Sequence, residues 1–198
     1  MVGRFINFLL IPLYTACYNP HEYGVITDLY ALVAFLNILL VYGMETSFFN
    51  FTREETYTPE KVFATGFNNL LITTCLFWIG GSLFYEPIAN VLGYNTHPEY
   101  ILWFVWIIGF DTLSALPFAL LRQQQRPIKF SVIRMANIFI NVGLNLYFLL
   151  WAPRLFEQNG FAPFFNPSIG LGYIFISGLA ASLATLLMLL PDIIKAGI

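Results

Sequence analysis

Six runs of apolar residues follow one another along this 198-residue chain, and that succession restricts the fold more than any other feature of the sequence. The runs cover residues 2–18, 25–51, 62–84, 100–121, 127–151 and 168–190. A helix needs about 20 apolar residues to cross the hydrocarbon of a bilayer, and only the first run falls short. The expectation is an all-α polytopic membrane protein, a single bundle of six transmembrane helices. Composition agrees, because 10% of the residues are charged where a soluble domain carries about 25%. The net charge of −2 offers no basic surface to nucleic acid. Cys17 and Cys75 fit no metal or redox spacing and read as small packing residues.

The connections carry turn chemistry: Asn19-Pro20 before Gly24, Thr58-Pro59, Glu86-Pro87 with Gly93, Arg126-Pro127, and a proline- and phenylalanine-rich loop over 153–167. None is long enough to be a soluble domain. Arg4 followed by an apolar run has the outline of a signal peptide, and Leu13 to Cys17 that of a lipoprotein cleavage site. Tyr14, three residues before the cysteine, and the next apolar run close behind it favour a retained helix. Because the first run begins almost at Met1, further residues are expected ahead of it.

Lysine and arginine set the orientation. Alternate connections and the two ends hold Arg4, Arg53, Lys61, Arg122, Arg126, Lys129, Arg134 and Lys195; the other connections hold only Arg154. Both termini are therefore expected on the cytoplasmic side. Tyr14, Tyr18 and Tyr23 at the first outer turn, and Tyr85, Tyr94, Tyr100 and Trp103 around the third, are placed as interfacial anchors. Pro12 and Pro117 interrupt helices and read as packing kinks or as hinges.

An ionisable side chain inside a bilayer is costly unless paired or solvated, which makes each one a functional candidate. Counting about 1.5 Å per residue from the cytoplasmic ends places Arg134 about 10 Å deep, Glu45 about 12 Å and Asp111 about 16 Å; Arg4 falls in the inner third. Cations and carboxylates from four helices thus reach similar depths. One reading pairs Arg134 with Asp111 or Glu45 as structural ion pairs. The other is a water-filled cavity in which the arginines hold an anionic head group and Asp111 or Glu45 binds a coupling cation or proton. Along the fifth run, Arg134, Asn137, Asn141 and Asn145 share an arc of about 80°; the asparagines suit sugar hydroxyls or water, or else interhelical hydrogen bonds. Thr65, Asn69 and Thr73 form a weaker polar line in the third run, Tyr30 and Asn37 share a face with Glu45, and Asp28 lies near an outer end. Gly178, Ala181, Ser182 and Thr185 in the sixth run form a small-residue face suited to close helix packing. His21 and His97 read as surface residues. No phosphate loop, histidine–carboxylate cluster or activated nucleophile is visible, which speaks against an enzyme and against a bound cofactor.

FINFLLIPLYT with NPHEYGVITDLYALVAFLNILLVYGMETSFFNF resembles the first two helices of polysaccharide and O-antigen flippases, within the multidrug, oligosaccharidyl-lipid and polysaccharide exporter superfamily. FDTLSALPFALLRQQQRPIKFSVIRMANIFINVGLNLYFL resembles their fourth and fifth helices. The resemblance covers most of the chain and implies the N-terminal six-helix lobe of an inverted-repeat transporter in the bacterial inner membrane. It further implies an undecaprenyl-pyrophosphate-linked oligosaccharide as cargo, for O-antigen, capsule or lipopolysaccharide assembly, and a second transmembrane lobe as partner. Matching positions are Arg4, Asp28, Glu45, Asp111, Arg122, Arg126 and Arg134. Where the family often has a basic residue after the Pro-Leu-Tyr-Thr segment, this chain has Ala16. The alternatives are a multidrug or cation antiporter of the same superfamily, whose cavity would favour carboxylates, and a membrane-embedded glycan assembly protein. An embedded transferase would need a catalytic loop, and the longest connection, 152–167, offers only Glu157.

Overall fold

A computed structural model of the chain describes residues 13–15, 17–53 and 57–197. The first expected helix, 2–18, and with it Arg4 and Pro12, lies outside the described residues apart from 13–15, 17 and 18. The described chain is helical throughout, and five of its helical stretches are long and apolar enough to cross a membrane.

Helix α1 spans Pro20–Val41. Its start is fixed by a capping box: the Asn19 side chain accepts from the Glu22 amide while the Glu22 carboxylate accepts from the Asn19 amide, each at 3.0 Å, and Pro20 supplies a preset φ in the first turn. The sequence pattern reads 25–51 as one unbroken helix, but the structure divides it. Tyr42 (φ 34°) and Gly43 (φ 74°) both take left-handed backbone, so α1 stops and α2, Met44–Arg53, starts afresh. Nothing surrounds the space a Cβ would take at Gly43; its glycine answers the backbone angle alone.

Helix α3 (Pro59–Leu83) again opens on a proline, and the short α4 (Tyr85–Leu92) ends at Gly93 in left-handed conformation. Helix α5 (Glu99–Gln123) carries Pro117 inside it. Helix α6 (Pro127–Leu146) continues through a widened π turn, Tyr147–Trp151, into α7, Ala152–Asn159. Half of the expected 152–167 loop is thus helix. Pro153 accounts for the widening: an α-helical proline clashes with the carbonyl four residues back, and here the Ala152 amide reaches back five residues to the Tyr147 carbonyl instead. After a 3₁₀ turn, Pro167–Ile169, helix α8 runs over Gly172–Lys195.

Helix α5 is the axis of the bundle. The most apolar part of α5 is 78% buried, against 17% for the span formed by α1 and α2. Helices α1, α2, α3, α4 and α8 pack on α5, and α6 lies mainly along α8. One core cluster joins Ile26, Leu29, Phe104, Ile108 and Phe175; a second, toward the other end, joins Phe63, Leu70, Leu116, Leu120, Ile133 and Leu189. Between α3 and α5 the approach is close enough that a Cβ on Gly109 would stand 2.0 Å from the Trp78 indole nitrogen. Trp78 is itself stacked on Trp106 at 4.8 Å and meets Phe110 edge-on at 5.3 Å. Facing outward are Phe35, Ile38, Leu76, Ile79, Phe139 and Leu187, a covering suited to lipid rather than water.

Candidate functional site

Two arginines from adjacent helices share an aromatic support. Arg122, in the last turn of α5, places its guanidinium 5.7 Å from the Phe49 ring and 5.9 Å from Phe130. Arg134, on α6, lies 4.2 Å over Phe118 and 5.7 Å from Phe130. Phe118 precedes Arg122 and Phe130 precedes Arg134 by four residues, so each helix presents a ring and an arginine on one face, and each guanidinium reaches the ring of the other helix. Phe118 and Phe130 meet edge to face at 5.2 Å and tie the two supports together.

The expected pairing of Arg134 with Glu45 or Asp111 is not what the side chains make. Glu45 pairs with Arg122, Oε2 to Nη2 at 2.6 Å. Among the described residues Arg134 has no ion-pair or hydrogen-bond partner. Glu45 stands at the start of α2, just past the Tyr42–Gly43 break, and Arg122, in the last turn of α5, lies beside it. Asp111 is half-buried near the middle of α5. One residue on, the Thr112 hydroxyl donates to Asn37 Oδ1 of α1 at 3.3 Å.

The asparagine stripe meets the small-residue face of α8, and its members differ. Asn137 donates to the Thr185 hydroxyl at 2.9 Å. Asn145, 1% exposed, donates to the Asn141 carbonyl at 2.8 Å and accepts from the Tyr14 hydroxyl at 3.2 Å. The bonds to Thr185 and from Tyr14 leave α6, while the bond to the Asn141 carbonyl stays within it. Asn141 is half-buried, and its Nδ2, like the Tyr30 hydroxyl, lies over Gly178, where a Cβ would stand 3.7 and 3.5 Å from them. Glu45, Arg122, Arg134, Asp111 and Asn141 are thus brought to partly open positions around α5. Arg4 lies outside the described residues. Asp28 is exposed at the far end of the bundle, where its charge, after burial, holds the Tyr94 hydroxyl above its ordinary pKa.

Sequence reasoning passed over Asp192. This carboxylate, 3% exposed, receives Lys129 at 2.6 Å and Arg126 at 3.8 Å, fastening the basic turn before α6 to the last turns of α8. The only signal was a carboxylate between Pro191 and the chain end, which ordinarily reads as solvated. Phe118 and Phe130 were also missed, since in an apolar run nothing marks a ring that supports a cation. No group of three or more histidine, cysteine or acidic side chains suited to a metal occurs among the described residues.

No family model, curated protein or solved structure matches this chain.

Proposed function

We propose that this chain is one lobe of an inner-membrane flippase that moves a lipid-linked oligosaccharide, its diphosphate held by Arg134. The observation that carries the reading is the state of that side chain: a guanidinium at membrane depth, mounted on two aromatic faces, exposed, and without an anion among the described residues. Such a cation is expensive to maintain in a bilayer, and its planar donors suit a bidentate phosphate oxygen pair. The resemblance of the sequence to polysaccharide flippases supports the same cargo, an undecaprenyl-pyrophosphate-linked glycan, and a bacterial inner membrane with both termini cytoplasmic.

In this mechanism Arg134, joined by Arg4, takes the diphosphate at the cytoplasmic side, and Asn141 contacts sugar or water. Asp111, half-buried near the middle of α5, is the coupling site for a proton or sodium ion; Glu45, tied to Arg122, acts as a latch. A second transmembrane lobe closes the path, and the prenyl tail stays in lipid. Replacing Arg134 by Ala in the full-length protein should abolish surface polysaccharide while protein abundance in the membrane is unchanged. Normal polysaccharide at normal abundance would sink the role given to Arg134.

A further inference from the structure

A cleft of about 300 Å³ opens between α2 and α3 and takes no part in the arginine site. Its volume is at the low end of small-molecule pockets, and its make-up, a mostly apolar wall with a few convergent polar groups, is theirs too. Met44, Phe48, Phe51, Val62 and Leu116 form the apolar wall. Lys61, exposed, stands at the end where the α2–α3 connection lies, and Arg53 ends α2 at that same edge.

The polar lining decides what the cleft can hold. Thr65 lies one turn below Lys61 and Asn69 two turns below, about 6 and 12 Å along the helix. The Thr65 hydroxyl is already donated to the Lys61 carbonyl at 3.0 Å. Asn69 and, across the cleft, Ser47 are exposed, and their side chains have no hydrogen-bond partner among the described residues. Hydrocarbon cannot satisfy an amide or a hydroxyl, so an occupant made only of alkyl chain leaves both unpaired. An occupant with an anion at one end, acceptor oxygens below it and a chain below those answers each group in turn.

We propose that this cleft binds one anionic phospholipid of the surrounding membrane. The phosphate sits at Lys61, which bends inward along the wall. The ester carbonyls accept from the Asn69 amide and the Ser47 hydroxyl, and an acyl chain lies against Phe48 and Leu116. The site is independent of cargo recognition at Arg134.

The test uses the full chain, purified and delipidated, then offered phosphatidylglycerol or phosphatidylcholine of equal chain length in mixed micelles, with bound lipid counted by native mass spectrometry. The wild type should retain one phosphatidylglycerol with about fivefold preference over phosphatidylcholine, the contribution expected of one basic side chain beside an anionic head group. Lys61→Gln should bring that ratio to about one and Lys61→Arg should keep it; Lys61 is exposed, so neither change threatens folding. Asn69→Leu should weaken retention of both lipids alike. Equal retention of the two lipids by the wild type, or an unaltered ratio in Lys61→Gln, overturns the proposal. So does cross-linking of Asn69→Cys to another polypeptide in intact membranes, which would give the cleft to a partner helix.

Discussion

At the scale of single residues, the two arginines separate stability from function. Arg122 and Glu45 form a half-exposed pair, with 45% and 37% of their side-chain surfaces accessible, and pairs of that kind contribute about 0–1 kcal/mol. A double-mutant cycle with Glu45→Gln and Arg122→Gln, read by thermal unfolding in detergent, should therefore give a coupling below about 1 kcal/mol. Arg134→Ala forfeits its stacking on Phe118 and Phe130, about 1 kcal/mol, so the loss of transport expected under the proposed function should come with a nearly unchanged melting curve. Asp192 behaves differently because it is buried while its cations are not. In Asp192→Ala, Lys129 and Arg126 turn outward to water; in Lys129→Ala the carboxylate stays behind with Arg126 at 3.8 Å. Stranding a buried charge costs about 3 kcal/mol, so Lys129→Ala should destabilise more than Asp192→Ala. The reverse order would show that Arg126 closes the gap.

At the scale of helices, two local geometries make opposite predictions for small substitutions. Tyr42 adopts left-handed backbone at 46% exposure, a conformation that costs an L-residue about 1–2 kcal/mol and glycine little. Tyr42→Gly should raise stability by up to about 1 kcal/mol, and Gly43→Ala should lower it by about as much, both measured by denaturation midpoint. Gly109→Ala gains about 1 kcal/mol of helix propensity, yet its methyl would enter the Trp78 ring, which Trp106 and Phe110 hold in place. Overpacking of that kind costs about 1–3 kcal/mol, so the net change should be a loss. Two helices began earlier than the apolar runs, at Pro20 and Pro59, which read as turn residues, but the helices themselves were legible as those runs. The break after Val41 was not, because Tyr42 continues the apolar run and only Gly43 hinted at it. Nor was the helical half of 152–167, where Pro153 reads as a terminator until the π turn is seen to accommodate it.

At the scale of the whole molecule, the bundle's existence could be read from the sequence but its arrangement could not. Helix α5 is central and α1 peripheral, yet lipid and protein interior ask for the same apolar side chains, so composition does not distinguish a buried helix from a lipid-facing one. The polar residues carried the information that did survive. Counting depth brought Glu45, Asp111 and Arg134 to one region, and the structure gathers all three around α5. Depth says nothing about azimuth, and azimuth decided that Glu45 met Arg122 and that Asn137 and Asn145 turned to neighbouring helices. The same limit gives the π turn at Tyr147–Trp151 its consequence. A π turn takes in one residue more than an α turn, so everything beyond it, Arg154 and Glu157 included, is rotated by about 100° relative to the asparagine stripe. The angular phase between the polar interior of the bundle and the charged end of the long α6–α7 rod is thus set by one codon, and a single in-frame deletion there would reset it without removing a contact from the arginine site.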